Sequence, residues 1–188
     1  PEQTKAFMTD PQSPKPGQRY QIYKKYTSGK QIYIDNILAD SYKFEEDLHL
    51  FDWQINADTT TICNFKAQKA TCEFGGRSWI AWFAPEIPFS DGPYKFNGLP
   101  GLIVKVHDTR NHYVFELTAI NKLEPPIMIE MQDKQYISTT KQEFFRAWDS
   151  FREDIISRAK EAGMDNQAQQ VMAKNMEKLN NPIELKRK

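Results

Sequence analysis

The residues best suited to chemistry lie close together in the second half of the chain. His107, Asp108 and His112 supply imidazole and carboxylate groups, which Zn²⁺ accepts as ligands. A zinc site needs three or four ligands that converge, and here His107 falls on a predicted strand while His112 falls at the turn that follows. We therefore interpret these residues as polar groups near the end of a hairpin, and we predict no metal and no cofactor.

The chain lacks the patterns that position a catalytic nucleophile or base. No serine or cysteine lies in a nucleophile-elbow pattern, and neither an HExxH motif nor a pair of carboxylates at helical spacing occurs. Arg77, Asp91 and Asp108 could form a buried ion pair that braces a loop, and we favour this structural role over catalysis. We therefore predict no catalytic residues, and we keep a hydrolase with an unfamiliar site as the third alternative for function.

Aromatic side chains are the stronger candidates for binding, because they make up 13% of the chain. A curved antiparallel sheet with aromatic residues on both faces can pack a helix on one face and leave a groove on the other. The candidate binding residues are Trp79, Trp82, Phe83, Tyr94, Phe96, Leu99 and Pro100. For the five aromatic residues among them we favour core packing, and a binding groove stays open as the alternative.

Several segments have the alternation and the turn residues of antiparallel strands. The predicted strands are residues 20–27, 30–37, 39–46, 65–74 and 78–83. The last two form the clearest hairpin, with Gly75-Gly76-Arg77 between them. Residues 78–83 are largely apolar on both faces, which predicts a central strand covered on both sides.

The strands that contain Val106 and Phe115 form a second predicted hairpin, and its apolar pattern selects one register. Pairing Val106 with Phe115 collects apolar residues on one face and places Lys105 opposite Glu116 on the other. A slip of one residue would put Lys105 opposite Phe115 and mix the two faces. We therefore predict the first register, with Arg110-Asn111 at the centre of the turn.

Two turn signals directly precede this hairpin. Asn97-Gly98 suits a tight turn with positive φ, and Leu99-Pro100-Gly101-Leu102 fits a type II turn. We interpret the two turns as a corner of the sheet. The alternative is an exposed loop that offers Leu99 and free backbone amides to a partner.

The pattern becomes helical towards the C-terminus. Residues 127–131 predict one last short strand, and Thr140 with Glu143 makes a capping box that opens a helix through about Ala162. The apolar stripe of this helix consists of Phe144, Trp148, Phe151 and Ile155. We expect this stripe to cover the sheet rather than to bind a partner.

A second, weaker helix is predicted after Gly163, which suits a helix stop. Asp165 is its candidate cap, and it is expected to reach about Leu179. Its inward residues are predicted to be Ala168, Val171, Met172 and Met176.

These elements predict a mainly β (α+β) fold, a curved antiparallel sheet with a C-terminal helix packed on it. We divide the chain into a flexible Pro-rich lead-in over 1–19, a β-sheet domain over 20–137, and a helical segment over 138–188 that completes the same domain. At 188 residues one domain is the expected number.

The charge balance argues against nucleic acid as a partner, and the apolar runs are too short for a transmembrane helix. Lys plus Arg and Asp plus Glu number 25 each, so no global field attracts nucleic acid, and we predict no nucleic-acid binding. No apolar run approaches the roughly 20 residues of a transmembrane helix. The chain begins at Pro1 without an initiator Met, from which we expect a processed or trimmed product.

Cys63 and Cys72 are predicted to be free thiols. If residues 66–74 form one strand, nine residues at about 3.3 Å each separate the two α-carbons by roughly 30 Å. A disulfide needs about 4.4–6.8 Å. Asn64 is the natural turn residue here, and Cys72 alternates with apolar neighbours, so we expect its thiol to be buried.

The stretch GRSWIAWFAPEIPFSDGPYKFNGLPGLIVKVHD at residues 76–108 resembles the signature of the GLPGLI family, named for the hexapeptide at 98–103. The resemblance extends from about Ile22 to the terminal NNPIEL, although relatives have further strands where this chain has only its Pro-rich lead. The signature residues to which we assign structural roles are Arg77, Asp91, Gly98, Gly101 and Asp108.

The resemblance implies a secreted or envelope protein of Bacteroidetes-type bacteria, made with a signal peptide that is removed, and located in the periplasm or at the outer membrane. The family has no assigned biochemical activity, so the resemblance supplies no catalytic residues. The leading hypothesis is a non-enzymatic envelope protein that binds another protein, such as an outer-membrane transporter or an assembly complex. The alternative is a periplasmic carrier that holds an apolar lipid or peptide in an aromatic-lined groove.

Overall fold

The protein is mainly β in a computed structural model that describes residues 20–154, 157, 161–177 and 182–186. The strands in this part of the chain are β1 (Gln21–Lys25), β2 (Lys30–Ile37), β3 (Asp40–Asp47), β4 (Gln54–Ile62), β5 (Phe65–Phe74), β6 (Arg77–Ala84), β7 (Leu102–Asp108), β8 (Val114–Glu116) and β9 (Ile137–Ser138). The helices are α1 (Lys141–Glu153) and α2 (Asn166–Glu177). The predicted mainly β fold with a C-terminal helix is confirmed, and the predicted lead-in over 1–19 lies outside the described residues.

The strands form two sheets. One has the order β1-β2-β3-β9, with β9 parallel to β3, and the other has the order β4-β5-β6-β7-β8. In the second sheet each strand pairs with the next in antiparallel fashion. Short turns join β4 to β5 and β5 to β6, whereas a long loop over residues 85–101 joins β6 to β7.

The described residues divide into two compact units. Unit 1 contains residues 20–21, 33–45 and the described residues from 135 to 182, and unit 2 contains residues 22–32, 46–134 and 183–186. The sequence-based division at residues 19/20 and 137/138 stays a prediction. In the described part of the chain, no helix is long and apolar enough to cross a membrane.

β6 is the middle strand of the five-stranded sheet, as its two apolar faces predicted. Trp79, Ala81 and Phe83 are buried on one face, whereas Ile80 and Trp82 on the other face are half-buried. The strand therefore buries Trp79 and Phe83 fully on one side of the sheet and covers Trp82 only in part on the other.

The predicted register between β7 and β8 is confirmed. Val106 pairs with Phe115 and Lys105 pairs with Glu116, and the Lys105 Nζ lies 2.8 Å from a Glu116 carboxylate oxygen. The apolar pattern excludes a slip of one residue, because that slip would place Lys105 opposite Phe115 and mix the two faces.

α1 begins at the predicted capping box in unit 1. The Thr140 side chain accepts a hydrogen bond from the Glu143 N–H, and the Glu143 side chain accepts from the Thr140 N–H. Phe144 is buried, with its ring centroid 5.7 Å from that of Phe44 in β3, so the helix packs on this sheet as predicted. α1 ends at Glu153, and the predicted continuation past residue 154, including Ile155, lies largely outside the described residues.

Two predictions in the C-terminal region are wrong. Residues 127–131 form no strand, and Ile127, Met128 and Ile129 are exposed, because no strand in the described part of the chain pairs with them. α2 has the predicted cap, in which an Asp165 oxygen accepts from the Ala168 N–H. Ala168 and Val171 are nevertheless exposed, and the side chains of Met172 and Met176 lie outside the described residues.

β4 has no counterpart among the predicted strands. It is an edge strand, and nearly all of its side chains are exposed, so it carries little of the apolar alternation that marks a half-buried strand. Cys63 and Asn64 both have positive φ and form the turn into β5, which agrees with the choice of Asn64 as the turn residue.

Both cysteines are free, as predicted, but they differ in environment. Cys63 is exposed at the turn, whereas Cys72 is buried in β5. Burial raises the pKa of the Cys72 thiol to about 12, which suppresses the reactive thiolate at neutral pH.

We expect iodoacetamide to label one thiol in the native protein and both thiols in denaturant without a reductant. The Cys63→Ser variant should take up no label when native, because only the buried thiol remains. Intact mass spectrometry measures the labels, and rapid labelling of the native Cys63→Ser variant would contradict the burial of Cys72.

Candidate functional site

The loop between β6 and β7 folds back on the strands that it joins. The Leu102 N–H donates to the Ile87 carbonyl at 3.0 Å, and the Ile103 N–H donates to the Asp91 carbonyl at 2.8 Å. These bonds attach the loop, at Ile87 and Asp91, to the first two residues of β7. The loop is thus a braced corner, which was the favoured interpretation of its turn residues.

The turn chemistry of this corner differs in part from the prediction. Gly98 has the expected positive φ of 92°. The predicted type II turn is wrong, because the Gly101 N–H donates to the Leu99 carbonyl at 2.8 Å, and Leu102 donates to Ile87 instead of Leu99. Gly101 has a φ of 151°, and a Cβ there would collide with the Ala84 carbonyl at the end of β6, so only glycine fits.

Phe96 lies at the centre of an aromatic cluster beneath the corner. Its side chain is fully buried, and its nearest ring is Trp79, with centroids 4.7 Å apart in a T-shaped arrangement. The other rings within 6.5 Å of Phe96 are those of Phe51, Trp53, Phe74 and Tyr94. Phe96 and Trp79 are core residues, and the four rings around them are half-buried. Such aromatic pairs contribute to stability beyond the area they bury.

The predicted binding residues do not line one shared groove. Trp79, Phe83, Phe96 and Leu99 are buried, and Leu99 is only 1% exposed, so the structure does not offer Leu99 to a partner. Trp82 packs on the other face of β6 against a cluster around Ala67 and Val104. The physical reason is the alternation of a strand, which sends neighbouring side chains to opposite faces. Tyr94 is half-buried and Pro100 is exposed.

Arg77 and Asp108 form the buried ion pair that the sequence suggested. The Arg77 Nη1 lies 3.1 Å from an Asp108 oxygen, and the two side chains are 4% and 2% exposed. The other Asp108 oxygen accepts from the Tyr113 N–H at 2.8 Å. Burial opposes ionisation, but this hydrogen bond and the Arg77 charge outweigh it and hold the pKa of Asp108 below its usual value.

The two histidines beside this pair do not converge on a common point. His112 Nδ1 lies 3.3 Å from the Arg77 guanidinium, whose positive charge opposes a cation at that position. The Nδ1 of His107 lies 3.1 Å from the Asp108 carbonyl. Among the described residues, no group of three or more His, Cys, Asp or Glu is placed to hold a metal ion.

Asp91 pairs with Lys24 and not with Arg77. The Lys24 Nζ donates to an Asp91 oxygen at 2.6 Å and to the carbonyls of Gly92 and Phe96 at 2.8 and 3.0 Å. Burial lowers the pKa of Lys24, and the Asp91 carboxylate partly offsets that shift. These three bonds hold the part of the loop between Asp91 and Phe96 in place.

Lys95 is the site residue that sequence reasoning missed. Its side chain has no exposure to solvent and contacts the carboxylates of Glu46 and Glu184, the latter at 2.7 Å. Two signals were available, since Lys95 lies in the signature and Glu184 lies in the terminal NNPIEL. Their separation of 89 positions concealed the pairing.

An open groove of about 560 Å³ runs along the outer edge of the five-stranded sheet. Leu102, Val114, Phe115, Leu117 and Ala119 contribute to its lining. The groove is mostly aliphatic, and none of the aromatic residues predicted to bind a ligand lines it.

Comparison with known proteins gives a family match over a short segment and a distant likeness of fold. Residues 75–105 match the model of a family described as "Protein of unknown function (Porph_ging)". No curated protein matches the chain. Two solved structures of PNGF-II, in space groups C2 and P21, are similar to it at 11% identity, with TM-scores of 0.50 and 0.48. Each match covers 74% of this chain and 26% of the PNGF-II chain.

We expect the stability of the protein to depend on Asp108 in acid. Because its pKa in the folded state lies below the unfolded value of about 3.9, its contribution is complete above that value and is lost as the pH falls through the folded pKa. Asp108→Asn should lower the free energy of unfolding at pH 7 by about 3 kcal/mol and flatten its decline below about pH 4.

Urea unfolding at several pH values measures both effects. Asp52→Asn removes one carboxylate from an exposed side chain and is the matched control. Equal acid profiles for the wild type and Asp108→Asn would contradict the role of the ion pair.

Proposed function

We propose that the protein is a non-enzymatic member of the GLPGLI family that resides in the bacterial cell envelope and binds another envelope protein. The match of residues 75–105 to a family model supports the family assignment, because it covers most of the signature at 76–108 and includes the whole hexapeptide at 98–103. The charged residues of the signature support a non-enzymatic role, since Arg77, Asp91 and Lys95 each contact an oppositely charged side chain.

The observation that carries the proposal is an exposed apolar segment after β8. Ile127, Met128 and Ile129 are 69%, 83% and 84% exposed, and Ile120 and Leu123 are each more than half exposed. We call residues 120–129 the apolar segment. Single exposed apolar residues are ordinary, but a run of them marks a surface for protein contact.

Leu99 was the residue expected to contact a partner, but it is buried, so the exposed apolar segment is the surface to test for partner binding. Leu99→Asp would place a charge in the core and unfold the corner, so it could not separate binding from stability. A charge on an exposed side chain leaves the fold intact and opposes burial against a partner.

We predict that Met128→Asp or Ile129→Asp abolishes capture of a partner from the envelope fraction of the source bacterium. Burying such a side chain contributes about 1.5–3 kcal/mol, so its loss should weaken binding by at least about tenfold. Affinity capture from separated envelope and cytosolic fractions, quantified by mass spectrometry, is the measurement.

Phe89→Asp is the matched control, because Phe89 is 67% exposed but lies outside the apolar segment. A partner retained equally by Met128→Asp and by the wild type would refute this surface. Capture from the cytosolic fraction alone would refute the envelope assignment.

The open groove favours a second candidate, a carrier for an apolar ligand. Its volume of about 560 Å³ falls within the roughly 300–1,000 Å³ of small-molecule sites, and its lining is mostly aliphatic. The ligand class is a lipid or an apolar peptide, which such a lining holds by burial of apolar surface.

For the carrier, we predict that protein purified from its own host shows extra mass in native mass spectrometry. Val114→Asp should remove the extra mass with little effect on folding, because Val114 lines the groove and is 50% exposed. Phe89→Asp again serves as the control. A mass equal to that of the polypeptide alone would exclude the carrier.

A further inference from the structure

β8 is an outer strand of the five-stranded sheet, and in the described part of the chain only β7 pairs with it. Two backbone bonds mark the ends of this pairing. The Asp108 N–H donates to the Tyr113 carbonyl at 3.1 Å, and the Leu117 N–H donates to the Val104 carbonyl at 2.8 Å. Both bonds fit the register found between β7 and β8, so one register extends over the whole of β8.

The backbone groups of Val114 and Glu116 face away from β7. Residues in an antiparallel ladder alternate between bonded and non-bonded positions. Tyr113 and Leu117 are bonded to β7, so Phe115 between them is the next bonded position. Val114 and Glu116 occupy the non-bonded positions, and their two N–H donors and two C=O acceptors are directed outwards along the edge of the sheet.

The open groove lies along these outward groups. Val114 and Glu116 both contribute to its lining, together with apolar residues such as Leu102 and Leu117. An acyl chain has no donor or acceptor for the backbone groups, so a lipid lying over them would remove their hydrogen bonds to water without replacing them. An extended peptide replaces those bonds with its own backbone and buries apolar side chains in the same lining. The edge therefore favours a peptide over a lipid.

Glu116 indicates the charge that such a peptide carries. Its side chain is 49% exposed and is the outer member of an ion pair with Lys105, whose Nζ lies 2.8 Å away. In an added antiparallel strand one residue lies opposite Glu116 on the same face, and a lysine or arginine there continues the alternation of charge. Residues 127–131 of a second copy fit less well, because their only charged residue, Glu130, is acidic.

We propose that the edge of β8 and the adjoining groove bind an extended peptide, which joins the five-stranded sheet as an additional antiparallel strand. The peptide carries a basic residue opposite Glu116 and, two positions further along its own chain, an apolar residue opposite Val114. This inference rests on the proposed carrier function of the groove, and it narrows the ligand class from a lipid or a peptide to a peptide.

A mixture of synthetic peptides is the probe for this site. Its members have the form acetyl-Thr-X-Lys-X-X-Thr-amide, in which each X is Val, Ile, Leu or Phe. We expect native mass spectrometry to show a peptide bound to the chain. The same mixture with Glu in place of Lys should bind about threefold more weakly or worse, because Glu116 then faces a like charge.

Hydrogen exchange followed by NMR separates strand addition from other modes of binding. A bound strand should slow the exchange of the Val114 and Glu116 amide protons by at least about tenfold, because both become hydrogen-bonded. The Leu117 amide proton, which is already bonded to Val104, is the internal control and should change much less. Peptide binding that leaves Val114 and Glu116 unprotected would overturn the proposal.

Val114→Pro and Val114→Ala form a matched pair of variants. Proline removes an outward N–H but no bond to β7, whereas alanine keeps the N–H and loses more of the side chain. Val114→Pro should weaken peptide binding by at least about tenfold, and Val114→Ala should weaken it less. Equal loss in the two variants would show that the backbone of β8 is not the binding group, which would overturn the proposal.

Near-UV circular dichroism of the aromatic cluster shows whether each variant is folded. If Val114→Pro fails this check, Glu116→Lys takes its place and should reverse the preference between the Lys and Glu peptide mixtures. An unchanged preference in folded Glu116→Lys would contradict the proposed position of the basic residue.

A lipid probe separates failure of this inference from failure of the carrier function. Palmitic acid and dipalmitoyl phosphatidylethanolamine are offered to the same protein under the same conditions. Binding of these lipids, with no member of the peptide mixture bound, would overturn the peptide site and support the carrier. Binding of neither probe would refute both.

Discussion

The ammonium group of Lys95 has no access to solvent, and the need to neutralise its charge organises unit 2. An isolated buried ammonium group is prohibitively costly, so carboxylates must reach it. Glu46 arrives from the end of β3 and Glu184 from the C-terminus, while Lys95 itself belongs to the loop between β6 and β7. One charge thereby connects three segments that are distant in sequence.

The same rule explains the other charged residues of the corner. The ion pair of Arg77 with Asp108 connects β6 to the hairpin of β7 and β8. The ion pair of Lys24 with Asp91 holds the loop between β6 and β7 near Asp91. Phe96 and its surrounding rings fill the space beneath. Because the charged side chains of the corner already contact each other, the apolar segment and the groove beside β8 are the better candidates for contact with a partner.

Sequence reasoning succeeded where the relevant partners are neighbours along the chain. The bounds of β5, the register of Val106 with Phe115 and the Thr140 cap depend on alternation or on groups a few residues apart. It failed for β4, whose exposed side chains carry little pattern, and for residues 127–131, which pair with none of the strands that the structure describes. Strand formation needs a partner, and a partner is a property of the tertiary fold.

The sequence by itself determined the hairpins, the start of the helix, the free thiols and the family resemblance, because each depends on local spacing or local residue type. Only the tertiary structure decided the burial of Leu99, the division of Trp79 and Trp82 between two faces, and the pairing of Lys95 with Glu184. The physical reason is that burial and charge neutralisation are set by whichever distant residues fill the surrounding space. No local pattern encodes which residues those are, even when each of them lies in a recognisable motif.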